Sequence, residues 1–421
     1  MSTPKLRFKG FSGEWEEKDF NKVFMNISNN TLSRAELNYN FGQAKNIHYG
    51  DVLIKFGELL DIEKEEVPFI SNNDFVTKFK SSRLQNGDVI IADAAEDEMV
   101  GKCTEIVNIK DEVVFSGLHT IAVRPIQTFA SKYLGYYMNS LLYHNQLLRL
   151  LQGTKVLSIS KSAIKNTEIY SPKDFLEQTK IGNYFQNLDK LIEQKEKKYQ
   201  KLRQFKKAML DKMYPKNGAT TPELRFKGFS GEWEERKLGE VTDLLTGNPF
   251  ASKKFVKKGV FLVRGMNVKR GYLDMSKDIS EYWVSSNGLE IYLLKEDDIL
   301  IQMDGALIGK SYAKVQSKNL PALLVQRVTR IRNEKINSEF IYQYIQRDFL
   351  SYIATIKTET AVPHLSLNDI RNFQIAITPS INEQTKIGNY FQQLDKLINL
   401  HQSELTKLKN IKKASLEKMF V

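Results

Sequence analysis

One cysteine, Cys103, is all the thiol this 421-residue chain carries. That excludes an intramolecular disulfide and a cysteine metal cluster, and it suits a reducing compartment. Lys102 adjoins it, but no base can be assigned to activate it, so inert filler is the expected role. Long hydrophobic runs are missing as well. Nothing reaches the ~20 apolar residues of a membrane helix, and the opening Met1–Arg7 stretch has no apolar run of a secretion signal. The expectation is a cytoplasmic chain with no membrane partner. The five histidines (His48, His119, His144, His364 and His401) are scattered and show no paired ligand spacing, so no metal site is expected.

Catalytic signatures are missing too. Gly305 and Gly309-Lys310-Ser311 leave three residues between the glycines, one short of a phosphate-binding loop. Asn248-Pro249-Phe250 lacks the second proline of the Asn-Pro-Pro-Phe/Tyr amino-methyltransferase motif and reads as a turn. No Gly-x-Ser-x-Gly elbow occurs. With no intact catalytic set, the expected activity is binding, with no catalytic residues and no cofactor held by this chain.

What is present begins with charge. Lys and Arg number 62 against 50 Asp and Glu, a formal +12, which favours a polyanionic partner. Hydrophobic content of 41% with 11% aromatics describes a packed globular protein, and the length allows two or three domains.

The chain also repeats itself. Thr3-Pro4-Lys5-Leu6-Arg7-Phe8-Lys9-Gly10-Phe11-Ser12-Gly13-Glu14-Trp15-Glu16-Glu17 returns at Thr221–Glu235 with a single change, Glu223 for Lys5. Glu177-Gln178-Thr179-Lys180-Ile181-Gly182-Asn183-Tyr184-Phe185-Gln186 returns unchanged at Glu383–Gln392. The first pair is offset by 221 − 3 = 218 positions and the second by 384 − 178 = 206, so the second copy is twelve residues shorter between its ends. Between these ends the copies have diverged, with faint echoes: Ser131-Lys132-Tyr133-Leu134 against Ser338-Glu339-Phe340-Ile341, and Asp88-Val89-Ile90-Ile91…Gly101-Lys102 against Asp298-Ile299-Leu300-Ile301…Gly309-Lys310. A duplicated module with a fixed frame and a variable body accounts for this pattern.

The frame reads as helix. Over 176–213, apolar residues at Ile181, Tyr184, Phe185, Leu188, Leu191, Ile192 and onward fall three or four apart until Pro215 and Gly218 stop the pattern. The second copy has Ile387, Tyr390, Phe391, Leu394, Leu397 and Ile398. A helix of ~38 residues is ~57 Å long and must bury its stripe. The expected partner is its own duplicate, antiparallel, with Lys195 and His401 as polar seam positions. The run Lys195, Lys197, Lys198, Lys201, Arg203, Lys206 and Lys207 reads either as a solvated face or as a surface skirting phosphates. The bodies, 20–170 and 236–378, mix strands (Asp88–Ala92, Val113–Phe115, Thr120–Val123, Gly259–Val263, Val328–Ile331) with amphipathic helices (Lys132–Leu151, Ser338–Ile356).

Taken together, the duplicated Leu-Arg-Phe-x-Gly-Phe-x-Gly-x-Trp segment, the duplicated Glu-Gln-x-Lys-Ile-Gly…Leu-Asp-Lys-Leu-Ile helix and the divergent bodies between them resemble the DNA specificity subunit of type I restriction–modification systems. The resemblance spans the whole chain. It implies a mixed α/β (α+β) fold with internal pseudo-two-fold symmetry: target recognition domains at 1–175 and 215–381, with conserved coiled-coil helices at 176–214 and 382–421. It implies that each domain reads one half of a split, asymmetric site on double-stranded DNA. The antiparallel helices would act as a ruler, and the frame would dock two modification subunits, with restriction/motor subunits further out. S-adenosylmethionine, ATP and Mg would belong to those partners. The subunit interface would draw on Ile181, Tyr184, Phe185, Leu188, Leu191, Ile387, Tyr390, Phe391, Leu394 and Leu397. In the first copy Ala94-Ala95-Glu96-Asp97-Glu98 replaces the family's strand–Gly-x-x-Gly-Lys form, so glycine-mediated backbone contact with DNA is not expected there.

Base readers are expected on loops. The candidates in the first body are Lys78, Lys80, Arg83, Lys102, Thr154 and Lys155. In the second they are Lys253, Lys254, Arg264, Asn267, Lys310, Lys357 and His364. Arg264 and Asn267 are the sharpest, because Arg and Asn can read guanine and adenine edges with two hydrogen bonds. A duplicated coiled-coil scaffold for protein ligands is the alternative reading; steep salt dependence of binding would separate the two.

Overall fold

The computed structural model describes residues 3–78 (the Lys78 side chain excepted), 80–216, 218–305, 308–333, 335–356 and 364–420. It divides into two compact units, Met1–Glu196 with Ser403–Val421, and Lys197–Gln402. Each unit mixes strands and helices.

The first unit is built on a five-stranded sheet: β1 (Phe24–Ile27), β2 (Leu59–Asp61), β3 (Val89–Ala92), β4 (Cys103–Val107) and β5 (Thr120–Pro125), in the order β1-β5-β3-β4-β2. The run Val89-Ile90-Ile91-Ala92 is apolar without alternation because both faces of the sheet are covered. Val89, Ile91, Ile121 and Val123 pack with Trp15, Phe20, Tyr133 and Phe185. Ile90, Ala92 and Ala122 pack with Val52, Phe56 and Leu60 on the other side. A second, four-stranded sheet flanks this core.

The helix expected over Lys132–Leu151 is broken into α1 (Tyr133–Met138) and α2 (Leu141–Leu148). Between them the Asn139 side-chain amide donates to the carbonyls of Cys103 and Gly135, and Ser140 caps α2 by accepting from the Tyr143 N–H. Two side chains that compete for backbone groups are enough to stop a helix. Helix α3 then runs from Phe175 to Met213.

The second unit repeats the plan with four central strands, β6 (Asp243–Thr246), β7 (Ile299–Gln302), β8 (Tyr312–Lys314) and β9 (Val328–Arg332), in the order β6-β9-β7-β8. Its helix over 338–356 is α4 (Ser338–Tyr344) and α5 (Leu350–Ile356), joined by a π-helical turn at Ile345–Phe349. Helix α6 spans Ile381–Lys418.

The repeated segments do the same work in each unit. The Arg7 guanidinium donates twice to the Glu177 carboxylate, at 2.6 and 2.8 Å, and also to the carbonyls of Ser12 and Gly13. Arg225 does this to Glu383, Ser230 and Gly231. The Leu6 N–H donates to the Lys418 carbonyl, and the Leu224 N–H to that of Lys212, so each opening segment caps the end of a long helix. Gln178 accepts from the Ala130 N–H while donating to the Pro172 carbonyl, and Gln384 does the same with Asn337 and Thr378.

Within the first unit the α3 and α6 segments run antiparallel. Tyr184 Oη meets Ser415 Oγ at 3.0 Å, and Lys412 Nζ lies 2.7 Å from Asp189. Lys195, expected as a polar seam residue, reaches Glu404 at 2.6 Å. In the second unit Lys206 pairs with Asp395 at 2.6 Å. Lys206, grouped with the solvated basic run, is therefore a buried seam residue.

The apolar stripe is shared differently from the expectation. Ile181, Phe185, Leu188, Ile387 and Phe391 are buried, yet Phe185 stacks on Tyr136 of α1 and Phe391 lies against Tyr214. The stripe is thus divided between the helix's own body, through Tyr136, and the residue just beyond the opposite long helix, Phe420 for Phe185 and Tyr214 for Phe391. Leu191 and Leu397, expected in the same interface, are exposed. The less exposed row steps from buried Leu188 to half-buried Ile192 and from half-buried Leu394 to buried Ile398, so a residue three positions after the first falls outside it.

Candidate nucleic-acid interface

Equivalent points in the two sheets can be matched by register. Asp88 accepts from the Gln85 N–H and the Arg124 guanidinium; Asp298 accepts from the Lys295 N–H and Arg332. Thr120 pairs with Ala92, and Val328 with Gln302. The match places His119 and Arg327 at one position, the residue just before β5 and β9. Both lie in the left-handed region, at φ 53° and 72°.

Three segments converge there in each unit. The His119 carbonyl accepts from the Asp93 N–H, and the Asp93 carbonyl accepts from the Ile159 N–H. In the second unit the Arg327 carbonyl accepts from Met303, whose carbonyl accepts from Leu365. The side chains at this edge are polar and open. His119 Nδ1 is 3.2 Å from Asp93 Oδ1, and the Tyr49 ring lies 5.3 Å from the imidazole. Lys161 Nζ donates to Asn29 Oδ1 on the first unit's edge. Arg327 Nε is 3.6 Å from Asp304 Oδ2, and its Nη1 is 3.4 Å from His364 Nδ1. Burial pushes the Asp93 carboxyl up, with His119 and Lys161 opposing it. A carboxylate beside a histidine or an arginine on an exposed strand end offers both donor and acceptor atoms to base edges.

Of the expected DNA contacts, His364 lies in this cluster. Thr154 and Lys155 are exposed on the turn between Gln152 and Leu157, and Leu157-Ser158 pairs with Ala94-Ala95 directly after Asp93. Lys80, Arg83, Lys253, Lys254 and Lys310 are exposed elsewhere. Lys357 and the Lys78 side chain fall outside the described residues.

Three expected contacts are corrected. Lys102 turns inward, its ammonium 2.8 Å from the Leu53 carbonyl, and burial lowers its pKa. Asn267 is fully buried: its oxygen accepts from the Arg264 N–H and its amide donates to the carbonyls of Asp274 and Ile279. Arg264 points its guanidinium at the Ile279 carbonyl and lies over the Phe255 ring. A buried loop must satisfy its own backbone groups, and these two side chains do so. The Gly-Lys echo is also structural. Gly101 and Gly309 both adopt positive φ, and a Cβ at Gly101 would meet Leu147 of α2 at 2.4 Å.

Among the described residues no group of His, Cys, Asp or Glu is placed to hold a metal ion, and no helix is long and apolar enough to cross a membrane.

The type I restriction modification DNA specificity domain matches residues 15–204 and again 230–410. The chain belongs to that family. Among relatives of this DNA specificity family, the type I restriction enzyme MjaVIII specificity subunit of Methanocaldococcus jannaschii is 27% identical over 62% of this chain and 63% of its own length. The EcoAI specificity subunit of Escherichia coli is 28% identical over 39% of this chain. The chain thus spans under two thirds of the MjaVIII subunit and 28% of the EcoAI subunit in these matches. The putative MjaX specificity subunit of M. jannaschii is 22% identical over 95% of this chain and 91% of its own length. The crystal structure of a type I S subunit from M. genitalium shares the fold of this specificity chain with a TM-score of 0.64, at 16% identity over 100% and 99% of the two chains.

The residues that sequence reasoning missed are Asp93, His119, Asp304 and Arg327. A signal existed: a histidine stands immediately before Thr120-Ile121-Ala122-Val123 and an arginine immediately before Val328-Thr329-Arg330-Ile331.

Proposed function

We propose that this chain reads a bipartite, asymmetric site on double-stranded DNA, one half per unit, and catalyses nothing itself. Its two long helices serve as an antiparallel coiled coil in a pseudo-two-fold frame. That frame docks two modification subunits in a cytoplasmic complex that restriction/motor subunits join. S-adenosylmethionine, ATP and Mg are used by those partners.

The observation that carries the reading is the contrast between frame and body. Arg7 and Arg225 repeat the same four guanidinium contacts, two of them to Glu177 and Glu383, while the strand ends carry different side chains on the same backbone. An unchanged frame suits two copies of one partner, and changed side chains suit two different half-sites. The +12 charge supplies the sequence-independent part of the affinity.

Footprinting of the full chain on a duplex carrying its site tests this. Two protected patches separated by an unprotected spacer are expected, with log affinity falling linearly in log salt. One uninterrupted patch, or binding indifferent to salt, would sink the reading and favour a scaffold for protein ligands.

A further inference from the structure

Thirteen glycines and five other residues among those described have positive φ. Among the five, Asn108, His119, Lys132, Asp297 and Arg327, strand register matches Asp297 to Gly87 and Asn108 to Ser317, and the Ser-Lys/Ser-Glu echo matches Lys132 to Glu339. His119 and Arg327 alone occupy one equivalent position as non-glycine residues in both units.

Glycine would adopt this turn without strain. A side chain in the left-handed region costs on the order of 1 kcal/mol and is retained where the side chain has a use. Packing is not that use, because the His119 and Arg327 side chains are 52% and 57% exposed. The retained groups are a histidine and an arginine, each beside a carboxylate from the neighbouring strand end, Asp93 and Asp304.

Position agrees with this. Strand β5 runs from Thr120 to Pro125 and leads to Ala130, whose N–H is held by Gln178 of the repeated helix motif. Strand β9 leads from Val328 to Asn337, held by Gln384. The turns therefore stand at the ends of these strands remote from the frame contacts. The backbone is fixed at both turns by bonds from Asp93 and Met303, so each side chain starts from a rigid base and loses little freedom on contact.

We infer that His119 in the first unit and Arg327 in the second are the base-reading residues of equivalent turns, each contacting base edges of its own half-site. This rests on the bipartite reading proposed above. Arg327 has the fork that suits the O6 and N7 acceptors of guanine, with the Asp304 carboxylate 3.6 Å from its Nε. His119 has one ring nitrogen beside Asp93, which leaves the other for a single contact. The first unit's half-site is therefore expected to tolerate more variation at this position than the second's.

The test is selection of bound duplexes from a random library by the full chain, followed by sequencing. Wild type is expected to return two fixed blocks separated by a spacer. Arg327→Ala should lose roughly ten- to hundred-fold discrimination at one or two adjacent positions of one block, with the other block unchanged. His119→Ala should do so, by about tenfold, in the other block only.

Arg327→Lys keeps the charge but not the fork. It should lose the same discrimination while keeping affinity for random DNA, which separates a base reader from a phosphate contact. Arg327→Gly and His119→Gly remove the side chain and relieve the turn, so a folding defect cannot explain a loss in these variants. Unchanged blocks in the glycine variants, beside a normal wild-type result, would overturn this inference and leave the bipartite reading standing. A wild type that returns no second block would overturn the bipartite reading, and this inference with it.

Discussion

Phe420 stacks on Phe185, ring centroids 5.7 Å apart and planes 12° from parallel. Its ring also meets Trp15, Tyr133 and Tyr137, so the residues just beyond α6 are built into the core that holds the opening segment. In the second unit Tyr214, just beyond α3, takes the same place against Trp233 and Phe340.

Phe420→Ala is expected to destabilise the first unit by about 3–5 kcal/mol, the usual cost of a large aromatic truncated in a core. Tyr214→Phe should cost the second unit only about 1 kcal/mol, for the hydrogen bond to the Phe340 carbonyl. Urea unfolding of the full chain checks both. A Phe420→Ala transition at the wild-type midpoint would contradict the packing described.

Glu177 is 1% exposed as a side chain and Arg7 15%. Arg7→Ala leaves a carboxylate buried without its fork, and about 3 kcal/mol should be lost. Arg7→Ala with Glu177→Gln should recover part of this, because the unpaired charge is gone. Arg225 and Glu383 share the fork, but Glu383 also accepts from the Thr378 hydroxyl, so Arg225→Ala should cost less than Arg7→Ala. A double-mutant cycle measures the coupling; a coupling near zero in either unit would argue against a shared clamp.

How much of this could be read from the residues depends on how each signal is written. The two long helices and the frame were legible because helical spacing runs through them and the repeat gives each position twice. Strand cores such as Val89–Ala92 were legible as unbroken apolar runs. The break at Asn139-Ser140 was not, since it depends on the Asn139 amide finding the Cys103 carbonyl across the sheet. The site was least legible. Arg264 and Asn267 have the right chemistry for bases, but tertiary contacts turn them inward. His119 and Arg327 are marked by backbone conformation, which composition and spacing do not record. Their equivalence is visible only in strand register, because the sequences around them have diverged.

Glu105 and Lys132 exchange charge with Lys314 and Glu339. In the first unit the Glu105 carboxylate accepts from the Lys132 and Gly135 N–H groups at the start of α1; in the second, Lys314 pairs with Glu339. Burial pushes the Glu105 carboxyl up to about 7 from 4.5, against those N–H groups, which favour its charged form. A folded pKa above the unfolded one means stability fully present below about 4.5 and lost as pH rises through about 7. The difference corresponds to about 3 kcal/mol. Unfolding of wild type from pH 5 to pH 8 should therefore show a falling contribution that Glu105→Gln removes, flattening the slope by up to one proton. Identical slopes for the two proteins would show that Glu105 is ionised throughout.

Arg264 and Asn267 offer the sharpest contrast between chemistry and placement. Asn267 uses its oxygen and its amide inside the loop, on Arg264, Asp274 and Ile279. Removing it orphans the Arg264 N–H and the Asp274 carbonyl, so Asn267→Ala should cost about 1–3 kcal/mol of second-unit stability. The sequence preference of the protein that remains folded should not change. Arg264→Ala loses one bond to the Ile279 carbonyl and the contact with Phe255. It should bind duplexes with the wild-type consensus in both blocks, its midpoint of unfolding lowered. A consensus altered by either substitution, at a temperature where the variant is fully folded, would return these residues to the DNA surface and require the loop to open on binding.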